Sequence, residues 1–142
     1  MAKTTFQEVW NTFVDFTGVV SEDLPQTEDG MYALIKSGIL KYNSVTEASE
    51  IKLIGNEMIE ELNVELDYDR LLLLSYCLKY IFLENEKNEY ESVWGVFSND
   101  IGLKFYGDTV KAKRNTLEDV NKEIMRLLDK IDPMSYLGWL YG

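Results

Sequence analysis

The sequence predicts an all-α protein, a compact bundle of five to six helices around a central apolar helix at about residues 68–86. A long C-terminal helix at about 109–131 and an extended aromatic C-terminal tail complete the expected architecture. Two observations predict this fold. Apolar residues recur at helical spacing in most segments, and hydrophobic residues make up 46% of the chain, which is enough to build a core.

A length of 142 residues fits one domain. We therefore expect a single domain over 1–142 with three parts. These are an N-terminal helix and loop (1–27), a helical core (28–131) and a C-terminal arm (132–142).

The first two helices are predicted from apolar spacing of three and four residues. The first carries Phe6, Val9, Trp10, Phe13, Val14 and Phe16. Gly18 is a stop signal, and the polar residues up to 29 form a loop. The second helix carries Met31, Leu34, Ile35, Ile39, Leu40 and Tyr42, with a weakening or bend expected at Ser37-Gly38.

A third helix is predicted after residue 44. Ser44 and Glu47 have the spacing of a capping box, in which a hydroxyl and a carboxylate satisfy free N–H groups at a helix start. An apolar stripe follows, with Asn63 as a possible stop, at Ala48, Ile51, Ile54, Met58 and Leu62.

The fourth helix is the predicted centre of the bundle. Asp67 or Asp69 is suited to its positive N-terminal end. Residues 71–83 are apolar on nearly every face, which indicates burial among neighbouring helices. We expect Cys77 to act there as a small buried hydrophobe. The acidic residues 84–91 would then cover the end of this helix.

Three further segments are predicted after the fourth helix. A short fifth helix carries Tyr90, Val93, Trp94 and Phe97. Residues 101–107 alternate between glycines, so a short strand or extended turn is expected. Asp108 or Thr109 would cap the final helix, which Pro133 ends and whose stripe is Val110, Leu117, Val120, Ile124, Leu127, Leu128 and Ile131.

The composition argues against most catalytic chemistry. The formal net charge is −11, and the chain contains no histidine and a single cysteine. These counts exclude a Ser-His-Asp triad, histidine-ligated metals, an intramolecular disulfide and a thiolate zinc cluster. No phosphate-binding glycine loop occurs. We therefore expect no catalytic residue, no metal, no cofactor and no enzyme activity, although a site made of carboxylates alone stays an alternative.

Membrane insertion is not expected either. The longest apolar stretch covers 13 residues, from Leu71 to Leu83, whereas a membrane-spanning helix needs about 20. No secretory signal precedes it.

Charge is unevenly distributed along the chain. Residues 47–69 contain eight acidic residues and one lysine, while residues 104–130 contain seven of the 14 basic residues against five acids. One interpretation is that these segments are ordinary solvated helix faces. The alternative is a charge-complementary interface between subunits. Its candidate residues are Glu57, Glu60, Glu61, Glu65, Lys111, Lys113 and Arg114.

The end of the sequence is apolar and aromatic. A chain end of this kind would expose apolar surface unless it docks. Two interpretations stay open, packing on the protein's own core or insertion into a partner. The candidate partner-interface residues are Tyr136, Leu137, Trp139, Leu140 and Tyr141.

The segment from Tyr68 to Tyr80, which ends in Tyr76-Cys77-Leu-Lys-Tyr80, is followed by the acidic run Glu84–Tyr90. This pattern resembles small all-helical head–tail connector proteins, also called head-completion or adaptor proteins, of tailed bacteriophages. The resemblance covers about residues 28–131.

The resemblance implies a structural virion protein that assembles as a ring, commonly of twelve copies, at the phage neck. Its partners would be the portal protein and the next neck or tail-completion protein, with DNA passing through transiently and without specific binding. The protein would lie in the virion, and in the host cytoplasm before assembly. An acidic wall fits this role because it repels DNA phosphates. The alternative is a small acidic inhibitor or immunity-type protein that binds a basic surface of an enzyme.

Overall fold

A computed structural model of the chain describes residues 2–47 and 51–131. Within these ranges the protein is built from five α-helices and one small antiparallel hairpin, which confirms the predicted all-α fold. The helices are α1 (Phe6–Phe16), α2 (Glu28–Thr46), α3 (Tyr68–Trp94), α4 (Ser98–Ile101) and α5 (Leu103–Ile131). The strands are β1 (Gly55–Asn56) and β2 (Glu61–Leu62).

Threonine side chains cap α1 and α2. The hydroxyl of Thr5 accepts the N–H of Glu8 at 3.1 Å, and the hydroxyl of Thr27 accepts the N–H of Gly30 at 3.1 Å. Gly18 follows α1 with φ +74°, a conformation that glycine adopts without strain. The first helix, the loop after it and the second helix are therefore confirmed, and α2 is longer than predicted at both ends.

The helix α3 is the centre of the bundle, as predicted, because α1, α2 and α5 all pack against it. Asp67 caps it by accepting the N–H of Arg70 at 2.9 Å. On its first half Leu73, Leu74 and Leu78 are fully buried, and so is Cys77. Four residues of the predicted stripe of α5 are buried, namely Leu117, Val120, Ile124 and Leu127, and the last three belong to the same core.

The prediction of a third helix after residue 44 is wrong. Residues 44–46 are the last turn of α2, and Glu47 leaves it with φ +46°. Residues 51–54 have no regular secondary structure, and residues 55–62 form the hairpin, in which Gly55 pairs with Leu62, Asn56 pairs with Glu61 and residues 57–60 make the turn. The stripe that the helix would have buried is largely exposed at Ile51, Ile54 and Met58. Ala48 lies outside the described residues.

Two asparagines explain why this segment is not helical. The amide of Asn43 accepts the N–H of Leu53 at 2.8 Å and donates to its carbonyl at 3.0 Å. The amide of Asn63 accepts the N–H of Ile54 at 2.9 Å and donates to the carbonyl of Lys52 at 3.0 Å. These bonds satisfy the backbone groups that a helix would have paired internally.

The predictions for residues 84–109 are also wrong in detail. The acidic run does not cover the end of α3, which continues through it to Trp94 and takes in most of the predicted fifth helix. Glu and Lys favour helices, and Lys87 pairs with Glu91 one turn later at 3.0 Å. The predicted short strand or extended turn at 101–107 is helical except at Gly102, which separates α4 from α5, and α5 begins at Leu103 rather than at Asp108 or Thr109.

Gly38 sets the distance between α2 and α3. The helix α2 runs through Ser37 and Gly38 without interruption. A Cβ atom added at Gly38 would overlap Leu78, at 2.9 Å from its Cγ and 3.4 Å from its Cα. Because Leu78 is fully buried, it has little room to move away.

We expect Gly38→Ala to destabilise the protein by about 1–3 kcal/mol, because the added methyl overpacks the contact between α2 and α3. Gly107→Ala is the matched control, since its Cβ would meet no atom within 4 Å on an exposed part of α5. It should raise stability by about 0.5–1 kcal/mol. Urea unfolding measures both, and equal stability of the two variants would contradict the close packing.

Burial raises the pKa of the Cys77 thiol from 9.0 to about 12. The folded state therefore keeps the thiol neutral while the unfolded state ionises above about pH 9. Stability linked to this thiol is complete below pH 9 and is lost as pH rises toward 12, by about 1.4 kcal/mol per pH unit. Unfolding measured from pH 8 to 10.5 should show this loss in the wild type but not in Cys77→Ala. Identical pH slopes for the two proteins would contradict it.

Candidate functional site

The most distinctive surface of the protein is a helical projection formed by residues 83–116. The buried core ends at Phe82 on α3 and resumes at Leu117 on α5, and no residue between them is buried. Two contacts show that α3 and α5 run antiparallel. Lys130 pairs with Asp69 at 3.3 Å at one end, and the rings of Tyr90 and Tyr106 stack at 5.7 Å near the other.

The outer end of this projection is apolar and exposed. Six large apolar side chains within 13 consecutive residues are each between 43% and 80% exposed. We call this set the projection tip, and it consists of Val93, Trp94, Val96, Phe97, Leu103 and Phe105. Single exposed apolar residues are common, but a cluster of this size is typical of an interaction surface.

The two helices of the projection hold together through aromatic contacts. The stacked rings of Tyr90 and Tyr106 are nearly parallel, and the Lys113 ammonium lies 5.4 Å from the centre of the Tyr90 ring. The Tyr90 hydroxyl is buried and has no hydrogen-bond partner within the described residues. A groove of about 300 Å³ beside it is lined by Glu86, Glu89, Tyr90, Val93, Trp94 and Lys113.

The acidic candidates lie on or next to the β-hairpin, and two of the four are engaged within the chain. Glu57 forms an ion pair with Lys36 of α2. Glu60 accepts a hydrogen bond from the Tyr32 hydroxyl, which raises the pKa of Tyr32 to about 12. Glu61 lies in β2, and Glu65 lines a groove of about 320 Å³ beside the start of α3.

The basic candidates lie on the part of α5 that belongs to the projection. Lys111 and Arg114 are exposed, whereas Lys113 faces the Tyr90 ring. Within residues 2–47 and 51–131, no ion pair joins these three residues to the acidic candidates. The two charged sets are thus not brought together within one copy.

The aromatic candidates Tyr136, Leu137, Trp139, Leu140 and Tyr141 lie outside the described residues. In the described part of the chain, no three residues of the types His, Cys, Asp and Glu come close enough to hold a metal ion. None of the described helices is long and apolar enough to cross a membrane.

Sequence reasoning missed the projection tip. It assigned Trp94 and Phe97 to a core helix because their spacing is helical, and it assigned Leu103 and Phe105 to a strand or turn. One signal was available. Residues 84–89 contain no apolar side chain, so the stripe that buries α3 stops after Leu83.

Comparison with known proteins shows the family to which the chain belongs. Residues 1–132 match a family model described as YomZ prophage protein. The SPbeta prophage-derived uncharacterized protein YomZ of Bacillus subtilis (strain 168) is 34% identical over 125 residues, which is 88% of this chain and 93% of that protein. No solved structure matches. The chain is therefore phage-derived and belongs to the YomZ prophage protein family.

Proposed function

We propose that the protein is a structural virion protein that forms a ring at the phage neck, docks on the portal protein and extends the DNA channel toward the tail. The observation that carries the proposal is the projection tip. These exposed apolar side chains lower the solubility of an isolated monomer. Their burial against a partner would stabilise the complex. Membership of a prophage family supports a partner from the phage.

The charge distribution supports a ring of identical subunits. A ring needs two different surfaces on each subunit, so that every copy contacts the next in the same way. The acidic hairpin and the basic part of α5 are two such surfaces. A net charge of −11 also suits a channel wall, since it repels DNA phosphates rather than binding them.

This role requires no catalysis and no cofactor. The chain would act in the virion neck, and before assembly in the host cytoplasm. Twelve copies, the portal protein and the next neck protein are the partners that the connector resemblance implies.

The alternative, an acidic inhibitor of an enzyme, depends on carboxylates that are free to bind a basic target. Glu57 and Glu60 are instead held by Lys36 and Tyr32. The inhibitor role depends on these carboxylates alone, whereas the connector role depends first on the apolar projection tip.

Co-expression with the portal protein of the same phage tests the proposal. We expect the two proteins to co-purify as a ring complex that is visible by negative-stain electron microscopy. A variant carrying Val96→Ser and Phe97→Ser should lose the complex yet keep its fold, with a melting temperature within about 3 °C of the wild type, because both residues are exposed.

Leu40→Ser is the matched control, because Leu40 is 70% exposed on α2 and is not part of the projection tip. It should leave the complex intact. A wild-type protein that stays monomeric beside a folded portal would contradict the proposal, and so would a tip variant that still forms the complex.

A further inference from the structure

The projection tip is bordered by one acidic and one basic side chain. Among residues 93–105, Asp100 is the single acidic residue and Lys104 the single basic one, and both are exposed. Gly102 lies between them with φ +92° and separates α4 from α5. No ion pair within residues 2–47 and 51–131 involves either side chain. The tip thus combines an apolar cluster with two opposite charges that the described part of the chain leaves unpaired.

The projection carries little net charge, unlike the rest of the chain. Residues 83–116 contain six acidic and five basic residues, whereas the whole chain contains 25 acidic and 14 basic ones. Nearly all of the net charge of −11 therefore lies elsewhere. Because like charges repel, two copies approach each other at the lowest electrostatic cost through their projections.

The two unpaired charges also restrict the kind of partner that fits the tip. A uniformly acidic surface would complement Lys104 but repel Asp100, and a uniformly basic surface would do the reverse. The tip is best matched by a surface that is apolar and carries one charge of each sign. A second copy of the tip has these properties.

The apolar area of the tip is sufficient for a dimer. Its six side chains are 43% to 80% exposed, which leaves roughly 600 Å² of apolar surface in contact with water. A stable interface buries about 800 Å² on each partner, of which a little over half, or roughly 450 Å², is apolar. Burial of about three-quarters of the exposed apolar surface of the tip would therefore meet this requirement.

Two-fold symmetry allows both charges to be paired in one arrangement. In a symmetric dimer, a contact of residue i with residue j of the other copy implies the reverse contact of j with i. A tip-to-tip pair can therefore place Asp100 of each copy beside Lys104 of the other, while the apolar side chains of the two tips face each other.

We propose that the projection tips of two free copies pair about a two-fold axis. The apolar side chains of each tip cover those of the other, and Asp100 of each copy pairs with Lys104 of the other. This dimer protects the apolar tip from water before assembly. The inference goes beyond the proposed neck function and does not require it. Because the portal protein would bind the same tip, the dimer and the portal complex exclude each other.

Sedimentation equilibrium of the purified full chain, from about 1 to 200 µM, tests the dimer. We expect a reversible equilibrium between monomer and dimer. Val96→Ser combined with Phe97→Ser should weaken dimerisation at least about tenfold, because apolar area is lost from the contact. Leu40→Ser, at an exposed position of α2 outside the tip, should dimerise like the wild type.

Three results of this measurement would overturn the proposal. The first is a wild-type protein that stays monomeric at every concentration. The second is a dimer that the double serine variant leaves intact. The third is a series of larger oligomers, which would show a head-to-tail contact instead of a symmetric one.

Charge reversal tests the symmetric pairing itself. Both border positions are positive in Asp100→Lys and negative in Lys104→Glu, so each variant alone should dimerise at least about tenfold more weakly than the wild type. Mixing the two variants restores opposite charges at both contacts, and we expect heterodimers of nearly wild-type affinity. The double variant D100K/K104E should recover the dimer in the same way.

Both charged positions are exposed, so these variants should keep their fold, which circular dichroism would verify. Single variants that dimerise like the wild type would overturn the proposed pairing. A mixture that dimerises no better than the single variants would overturn it as well.

Addition of the portal protein from the same phage separates this contact from the neck role. A dimer that forms while no portal complex is detected would support the contact and contradict the neck role. A free protein that is monomeric but binds the portal protein would overturn the contact and leave the neck role standing.

Discussion

The structure depends on the burial of the first half of α3 by three other helices. Leu73, Leu74 and Leu78 are removed from water because α1, α2 and α5 all pack against α3. This burial is the main favourable term in the stability of the fold. It also explains why Gly38 lies opposite Leu78, since α2 must approach closely enough to leave no void.

The buried core ends at Phe82 on α3 and at Leu117 on α5, and the functional proposals depend on the exposed residues between them. Between Phe82 and Leu117 none of the residues of α3, α4 and α5 is buried, so the outer sides of these helices stay in contact with water. The Tyr90–Tyr106 stack joins α3 to α5, and the apolar side chains of the projection tip stay exposed. An apolar end on an acidic protein is costly unless an assembly covers it.

Residues whose environment is set locally were predictable from the sequence. The apolar stripe of α1, the acidic start of α3 and the stripe of α5 around Ile124 follow from helical spacing and capping alone. The hairpin was not predictable in this way. Its backbone is held by side-chain hydrogen bonds of Asn43 and Asn63 to residues nine to 11 positions away in sequence. The spacing of apolar residues does not indicate these hydrogen bonds.

The candidate site was predictable only in part. Segregation of charge was visible in the sequence, but the engagement of Glu57 by Lys36 and of Glu60 by Tyr32 depends on tertiary structure. Exposure of Phe97 and Leu103 depends on where the core ends, which periodicity alone does not reveal.

The central claim is that this phage-derived chain is a component of the virion. Quantitative mass spectrometry of purified phage particles, after induction of the phage that carries the gene, tests it most directly. The account predicts that the protein is present in intact particles at a fixed ratio to the portal protein, and that the ratio is close to one if both form twelve-membered rings. A protein that is abundant in the induced cells but absent from purified particles would contradict the account.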